Sequence, residues 1–464
     1  MVKINRNALD VKIAVIGAGG RYWCPVLLRD LALFPGLTGE LRLCDLRPPQ
    51  ASARLGRELF AHSGSKTSFK IRATADLRSA LRGADAVVIG ISPGPATAFA
   101  NDLEIPLRYG ILQTVGDTIG PGGISRALRA VPILRGFAQA VAEHAPAAWV
   151  INYTNPLTLC TAALHAEFPG IRAYGCCHEV YAAQHRLAGL VAAAGGGRPP
   201  PRQAIRLDLA GVNHFTFALG ARYRGCDLMP LISKDAAKRG RFADQSAYAG
   251  DNAARGAFFE HRGLIGLDLF RRFGALGAAG DRHLAEFVPW YLADGERSLH
   301  RWGVVATPAA FRLGTWAPAP GITRAPNPLD VPAGVPEKLL PSGEEGVLQL
   351  AALLGGAPLE TNVNLPNHGQ VPELPYGAVV ETNAVLSHNS LAPVQGPPLP
   401  QALAALLCRI ADEQQLVLQA ALECNFDMAL QALLMDALCR ISTDRAAEML
   451  REMIAANKEL LPGW

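Results

Sequence analysis

The chain has 464 residues, half of them hydrophobic, and a formal charge of +4. Its basic residues are interspersed with acidic ones, so no block marks a nucleic-acid or membrane surface and neither partner is expected. No apolar run reaches the roughly 18 residues a membrane span requires, residues 1–10 carry no visible export signal, and nine scattered cysteines make no disulfide framework, which together point to a reducing cytoplasm.

In chain order, residues 12–16 form a short β-branched run that ends in Gly17, Gly19 and Gly20 and leads into a helix-like stretch, 22–33. Strand, glycine turn and helix in that order let a backbone approach a pyrophosphate at a helix N-terminus, although the turn reads GAGGR and stops short of the full dinucleotide fingerprint. A second apolar strand, 41–44, ends in Asp45, where a carboxylate accepts both ribose hydroxyls of NAD and repels the phosphate of NADP. A tight turn and a solvated loop acid are the plainer alternatives.

Continuous apolar runs at 84–91 and 148–151 alternate with helical patterns at 76–81 and 124–144, as in a parallel sheet covered on both faces. Residues 1–204 are therefore expected to form a doubly wound, Rossmann-like α/β domain that binds NAD. Ser92, Pro93, Asn155 and Cys177 fall beyond the carboxyl ends of its strands, where such folds hold ligands.

The character changes near residue 205. Residues 205–209 and 215–222 read as antiparallel strands flanking 211–214, whereas 235–254 is polar and either helical or looped. Glycine- and proline-rich stretches at 195–201 and 318–336 read as loops. Strands are expected at 360–365 and 378–386, joined by 366–377. Residues 399–461 are almost unbroken helix pattern, suited to packing on the domain and on a partner subunit. The second domain, 205–464, is thus a mixed α+β unit, and the whole has the plan of a lactate or malate dehydrogenase.

Cys177 and His178 lie side by side, and His214 supplies a second imidazole from a separate segment. Thiolate and imidazole are ligands a transition metal accepts. A buried structural cysteine and a satisfied core histidine are the competing reading.

The ordered set GAGGR, Asp45, VGDTIGPGGISR (115–126), NYTNP (152–156), Cys177 with His178, GVNH (211–214), EFVPWY (286–291), NLPNHGQVPEL (364–374) and NKELLPGW (457–464) resembles glycoside hydrolase family 4 over essentially the whole chain. The resemblance implies a glycosidase that uses NAD and a divalent metal, usually manganese, in place of the ordinary carboxylate pair. Its chemistry is oxidation at C3 of the sugar, deprotonation at C2, elimination of the aglycone, water addition and re-reduction, so that the NAD finishes oxidised.

By that resemblance Gly17, Gly19, Gly20, Asp45 and Ser92 hold NAD, Cys177 and His214 bind the metal, and His178 protonates the departing oxygen. Asn155, Asn213, Asp117, Arg282 and His283 contact substrate. The tyrosine-rich segment of the phospho-sugar members is absent, so their base does not transfer; Asp268 in GLDLFRRFG is the candidate C2 base, and Asp281 or His283 just beyond is a candidate contact of the metal or the substrate. The segments VGDTIGPGG and GDRHLAEF resemble members acting on unphosphorylated sugars. The expected substrate is an α-linked galacturonide or glucuronide, its carboxylate met by Arg282 or Arg126, with an α-galactoside as the alternative. A plain NAD-dependent dehydrogenase and a non-catalytic NAD-binding sensor are alternatives of other kinds. The family also implies a homodimer or homotetramer.

Overall fold

The computed structural model describes residues 8–64, 68–239, 244–326 and 335–464. Part of the expected loop at 318–336 lies outside these residues, as do residues 1–7 of the N-terminal stretch.

Six strands build the parallel half: β1 (Leu9–Ile16), β2 (Leu37–Cys44), β3 (Phe69–Thr74), β4 (Ala86–Ile89), β5 (Trp149–Asn152) and β6 (Arg172–Gly175). They lie in the order β3-β2-β1-β4-β5-β6, so the order reverses between β1 and β4. β4 and β5 are buried at every position, because helices cover both faces of the sheet. One of those helices, Gly120–His144, turns toward the sheet a face that includes Leu128, Val131, Leu134 and Val141, all fully buried with Val87 and Ile89.

The same sheet continues into the second half. β11 (Leu359–Pro366) meets β6 at Asn364 and Gly175, and antiparallel pairing then runs from β11 to β12 (Val379–Ser387), to β7 (Ile205–Val212) and to β8 (Phe215–Tyr223). The short strands β9 (Cys226–Asp227) and β10 (Leu276–Gly277) pair with β8, and β13 (Ser390–Pro393) pairs with β12. The turn of the β7–β8 hairpin is tight because Gly211 adopts φ +156°, where a Cβ would sit 2.4 Å from the Phe215 carbonyl oxygen, and His214 follows at φ 65°.

The helical pattern of the C-terminal stretch resolves into three helices, Gln401–Glu423, Phe426–Met435 and Thr443–Ala456. The first break comes at Cys424 (φ 52°), after which the Asn425 side chain accepts from the Met428 N–H and starts the next helix. The second comes at Asp436, whose carboxylate accepts from the backbone N–H of Leu438 and of Gly120, both buried bonds.

Asp436 faces Glu413, and both are almost completely buried. Burial, and then the neighbouring Asp436 charge, raise the Glu413 pKa well above the ordinary carboxyl range; burial also raises that of Asp436. The folded state therefore holds protons that the unfolded chain releases near pH 4. The resulting stability is complete at acid pH and declines as pH rises through the folded pKa values. Replacing Glu413 by Gln keeps the neutral form at every pH. Thermal melts at pH 5 and pH 9 are expected to show a smaller fall in Tm for Glu413→Gln than for the wild type; equal falls would refute the buried-proton account.

Candidate active site

Strand ends and the hairpin turn deliver the expected residues to one place. Cys177 and His178 follow β6, Asn155 follows β5, and His214 sits in the β7–β8 turn. Asp117 lies in the segment before the helix Gly120–His144, while Arg282 and His283 belong to the helix Asp281–Phe287. Asp117, Asn155, Cys177, His178, His214, Arg282 and His283 all line a cleft of about 300 Å³.

At its centre Asp117, His214 and His283 each point a ligand-type atom into a space where those atoms lie within 4.8 Å of one another. The His214 and His283 rings lie 3.9 Å apart. Thr118 fixes two of the three: its hydroxyl donates to Asp117 Oδ1 and lies 2.8 Å from His214 Nδ1, leaving His214 Nε2 as the nitrogen free to bind. Asn155 Nδ2 donates to Asp117 Oδ2 at 3.3 Å. His283 Nδ1 is buried without a partner. Burial lowers the pKa of both imidazoles, that of His283 far below the ordinary value with His214 adding to the effect, so both are neutral and able to donate a lone pair. Burial opposes the Asp117 charge, but the surrounding imidazoles and arginines outweigh it and hold its pKa below the usual range. Since the imidazoles are neutral, Arg126 and Arg312 are the durable part of that field.

This donor set fits a divalent cation, whereas from the sequence Asp117 was expected at the substrate and His283 at either the metal or the substrate. Cys177 lines the same cleft without belonging to the close group. Its thiol is buried and its pKa is raised well above the ordinary value by desolvation and then by the charge of Glu381. Nearby charge of a bound cation is what converts such a thiol to a thiolate. Asn213 is fully buried beside Cys177 and Glu381 and does not line the cleft; neither of its amide atoms has a hydrogen bond of good geometry.

His178 stands at the edge of the cleft, its Nδ1 2.7 Å from Glu344 Oε1 and its ring 5.3 Å from that of Trp23. Burial works against its protonation, but the hydrogen bond and charge of Glu344 prevail and raise its pKa. Glu179 binds the Gly280 N–H and approaches His283 Nε2 at 3.6 Å.

The expectation for Asp268 has to be corrected. It sits on the helix Leu264–Phe273, nearly fully buried, and does not line the cleft. Its Oδ2 receives Arg272 Nε at 2.6 Å and the Tyr291 hydroxyl at 2.9 Å, so its carboxylate holds two elements together. Asp281 likewise caps that helix, accepting from the N–H groups of Leu264 and Gly266. Asp268→Asn is expected to keep kcat within about tenfold of wild type while lowering Tm, since the group lost is a hydrogen-bonded ion pair; a loss of about 10³-fold or more in kcat without a Tm change would restore it as the base.

The glycine turn abuts the cleft. Gly17 has φ +86°, and a Cβ there would fall 2.3 Å from the Gly90 carbonyl oxygen, so β1 and β4 approach too closely for any side chain. Gly20 N–H closes the turn on Gly17 O, and the helix that follows begins at Trp23 with no side-chain cap from Tyr22. Asp45 Oδ2 accepts from Gly19 N–H and Oδ1 from Leu46 N–H, each oxygen keeping a lone pair for a hydroxyl. Ser92 is exposed just past β4. Trp23 and Tyr153, their rings 4.4 Å apart, border both the cleft and the cavity under this turn. These features fit a dinucleotide whose nicotinamide end reaches the cleft.

Several lining residues had no sequence signal. Arg312 belongs to no motif, and His261, Tyr22 and Phe259 enter the cleft only through packing; Glu344, equally without a motif, borders the adjoining cavity and reaches the site through His178. Glu179 directly follows His178, and that adjacency was the one clue available.

The family profile described as family 4 glycosyl hydrolase matches residues 12–193, and that of the family 4 C-terminal domain matches residues 209–439. The α-galacturonidase of Thermoanaerobacterium saccharolyticum is 40% identical over 460 residues, covering 98% of this chain and 97% of that protein. Among solved structures, a protein from Bacillus subtilis described as a putative glucosidase superposes with a TM-score of 0.83 at 38% identity, covering 96% and 99% of the two chains. The 6-phospho-β-glucosidase of Thermotoga maritima, solved with manganese, NAD and glucose 6-phosphate, shares the fold at a TM-score of 0.72 and 18% identity, over 97% of this chain and 98% of that one. The chain therefore belongs to family 4 of the glycosyl hydrolases.

Proposed function

We propose that this glycosidase hydrolyses an α-linked hexuronide, an α-galacturonide or α-glucuronide, with NAD seated at the Gly17–Asp45 end and a divalent metal, manganese, in the cleft. The observation that carries the reading is the convergence of Asp117 with two neutral imidazoles beside a nucleotide-type turn. The α-galacturonidase relative supports the sugar, and the manganese and NAD of the Thermotoga structure support the cofactors.

His214, Asp117 and His283 would hold the metal, with Cys177 supplying a thiolate from the same wall. The chemistry the bound groups supply is reversible hydride removal at C3 and polarisation of the C2 and C3 oxygens. Everything else falls to the side chains. Asn155 orients Asp117, and Thr118 orients His214. His178, kept protonated by Glu344, gives its proton to the glycosidic oxygen as the bond at C1 breaks. A homodimer or homotetramer is proposed on the family resemblance and the C-terminal helix pattern, and a cytoplasmic location on the scattered cysteines; among the described residues, no helix is long and apolar enough to cross a membrane.

The test is a screen of 4-nitrophenyl α-galacturonide, α-glucuronide and α-galactoside with NAD, manganese and a thiol reductant, followed at the nitrophenol and NADH wavelengths together. Aglycone release from a uronide without net NADH is expected. Turnover of the galactoside alone would overturn the sugar assignment, and NADH accumulating in step with product would mean a dehydrogenase.

A further inference from the structure

Among the described residues, the guanidinium groups of Arg282 and Arg312 line the cleft and that of Arg126 lies beside it on the Asn155 backbone; those of Arg126 and Arg282 are already engaged. Arg126 Nε donates to the Asn155 carbonyl at 3.0 Å, and its guanidinium lies over the Phe99 ring at 4.9 Å. Arg282 Nη1 reaches Phe258 O at 3.3 Å and Thr307 Oγ1 at 3.4 Å, and its guanidinium lies over Phe259. From the sequence, one or the other was expected to meet the sugar carboxylate. Arg312 differs: it lines the cleft from the helix Ala309–Leu313, rests over Phe99 at 4.6 Å, and its Nε and Nη2 are buried with no hydrogen-bond partner.

Those two nitrogens form one edge of the guanidinium, the edge that presents two parallel N–H groups to the two oxygens of a carboxylate. A cation buried with its donors unpaired is costly, and that cost persists in folds where a ligand satisfies it. The strain is visible in the charge itself, since burial and the nearby Arg282 bring the Arg312 pKa down to about 10. A hexose offers only a neutral hydroxymethyl group where a hexuronate carries its carboxylate.

We propose that Arg312 is the residue that selects the uronate, binding the C5 carboxylate side-on through Nε and Nη2, with Phe99 supporting the guanidinium from below. This rests on the hexuronide reading above. The residue acts on binding, so its signature is in KM and in the affinity for free sugar acids.

The experiment uses the full chain loaded with NAD and manganese, comparing wild type with Arg312→Met and Arg312→Lys. Turnover of 4-nitrophenyl α-galacturonide and α-galactoside is measured, with calorimetric binding of D-galacturonate and D-galactose as a second readout. Arg312→Met is expected to lower the uronide-to-hexoside preference at least about 50-fold, mainly through KM, and to lose galacturonate binding by a similar factor. Arg312→Lys, which keeps the charge without the fork, should restore only part of both. Tm should stay level or rise in Arg312→Met, because an unpaired buried cation has been removed; a fall in Tm with equal losses on both substrates would make Arg312 a structural residue and overturn the proposal. Wild-type uronide turnover with an unchanged Arg312→Met preference would overturn the arginine assignment alone. A wild type that cleaves only the galactoside and binds no galacturonate would overturn the substrate reading and this proposal with it.

Discussion

The His214→Ala variant is expected to lose activity by about 10³-fold or more together with its tightly held manganese, because it removes the ligand on which the cation site is centred. His214 occupies a turn made possible by the Gly211 backbone, its Nδ1 lies 2.8 Å from the Thr118 hydroxyl, and its ring lies 3.9 Å from that of His283. Asp117→Asn should follow it closely, since an amide oxygen is a poorer ligand for a hard divalent cation and no longer carries a charge. Thr118→Val is expected to be milder, at about 10- to 100-fold in metal affinity, because it disturbs only the orientation of two ligands. Manganese retained per chain, measured by atomic emission after gel filtration, checks the series without relying on turnover. His214→Ala protein that keeps one manganese per chain would place the metal elsewhere. Cys177→Ser in the same series asks whether the thiol is a ligand: full metal content and activity in that variant would leave it a wall residue.

The parts of this fold that could be read from the sequence are those governed by local rules. The buried runs of β4 and β5, the glycine turn after β1 and the hairpin around Gly211 are each specified within about ten residues, by apolar continuity or by a backbone that only glycine adopts. The cleft residues that belong to ordered motifs, Asp117, Asn155, Cys177, His178, His214, Arg282 and His283, also converge as topology requires, at strand ends and a hairpin turn. What sequence could not give was partnership. Asp268 looks as catalytic in one dimension as Asp117 does; only the contacts with Arg272 and Tyr291 reveal a carboxylate already engaged in holding the fold. Arg312 shows the reverse case, a residue in an unremarkable short helix whose significance lies in the hydrogen bonds it does not make. The continuation of the parallel sheet through Asn364 and Gly175 is equally hidden, since it joins residues far apart in the chain by a single pair.

Replacing His178 by Asn is expected to produce a loss that depends on the leaving group. With an α-galacturonide whose aglycone is a sugar alcohol, the departing oxygen needs a proton, and removing the acid should cost about 10²- to 10⁴-fold in kcat/KM. A 4-nitrophenyl aglycone leaves readily as its anion, so the same variant should lose about tenfold or less on that substrate. Glu344→Gln provides the complementary test. In the wild type, Glu344 lies 2.7 Å from His178 and raises its pKa against the opposing effect of burial, so the acid form persists to higher pH than an ordinary imidazole allows. Without the carboxylate charge the desolvation effect remains, and the alkaline limb of the kcat/KM profile on the poor leaving group should move to lower pH. Activity should then fall at neutral pH and recover as the pH is lowered. This recovery separates a lost proton donor from a damaged site, which would stay inactive throughout. Equal losses on both aglycones for His178→Asn, together with an unmoved alkaline limb in Glu344→Gln, would assign the proton to another group and leave His178 to brace the loop that carries Glu344.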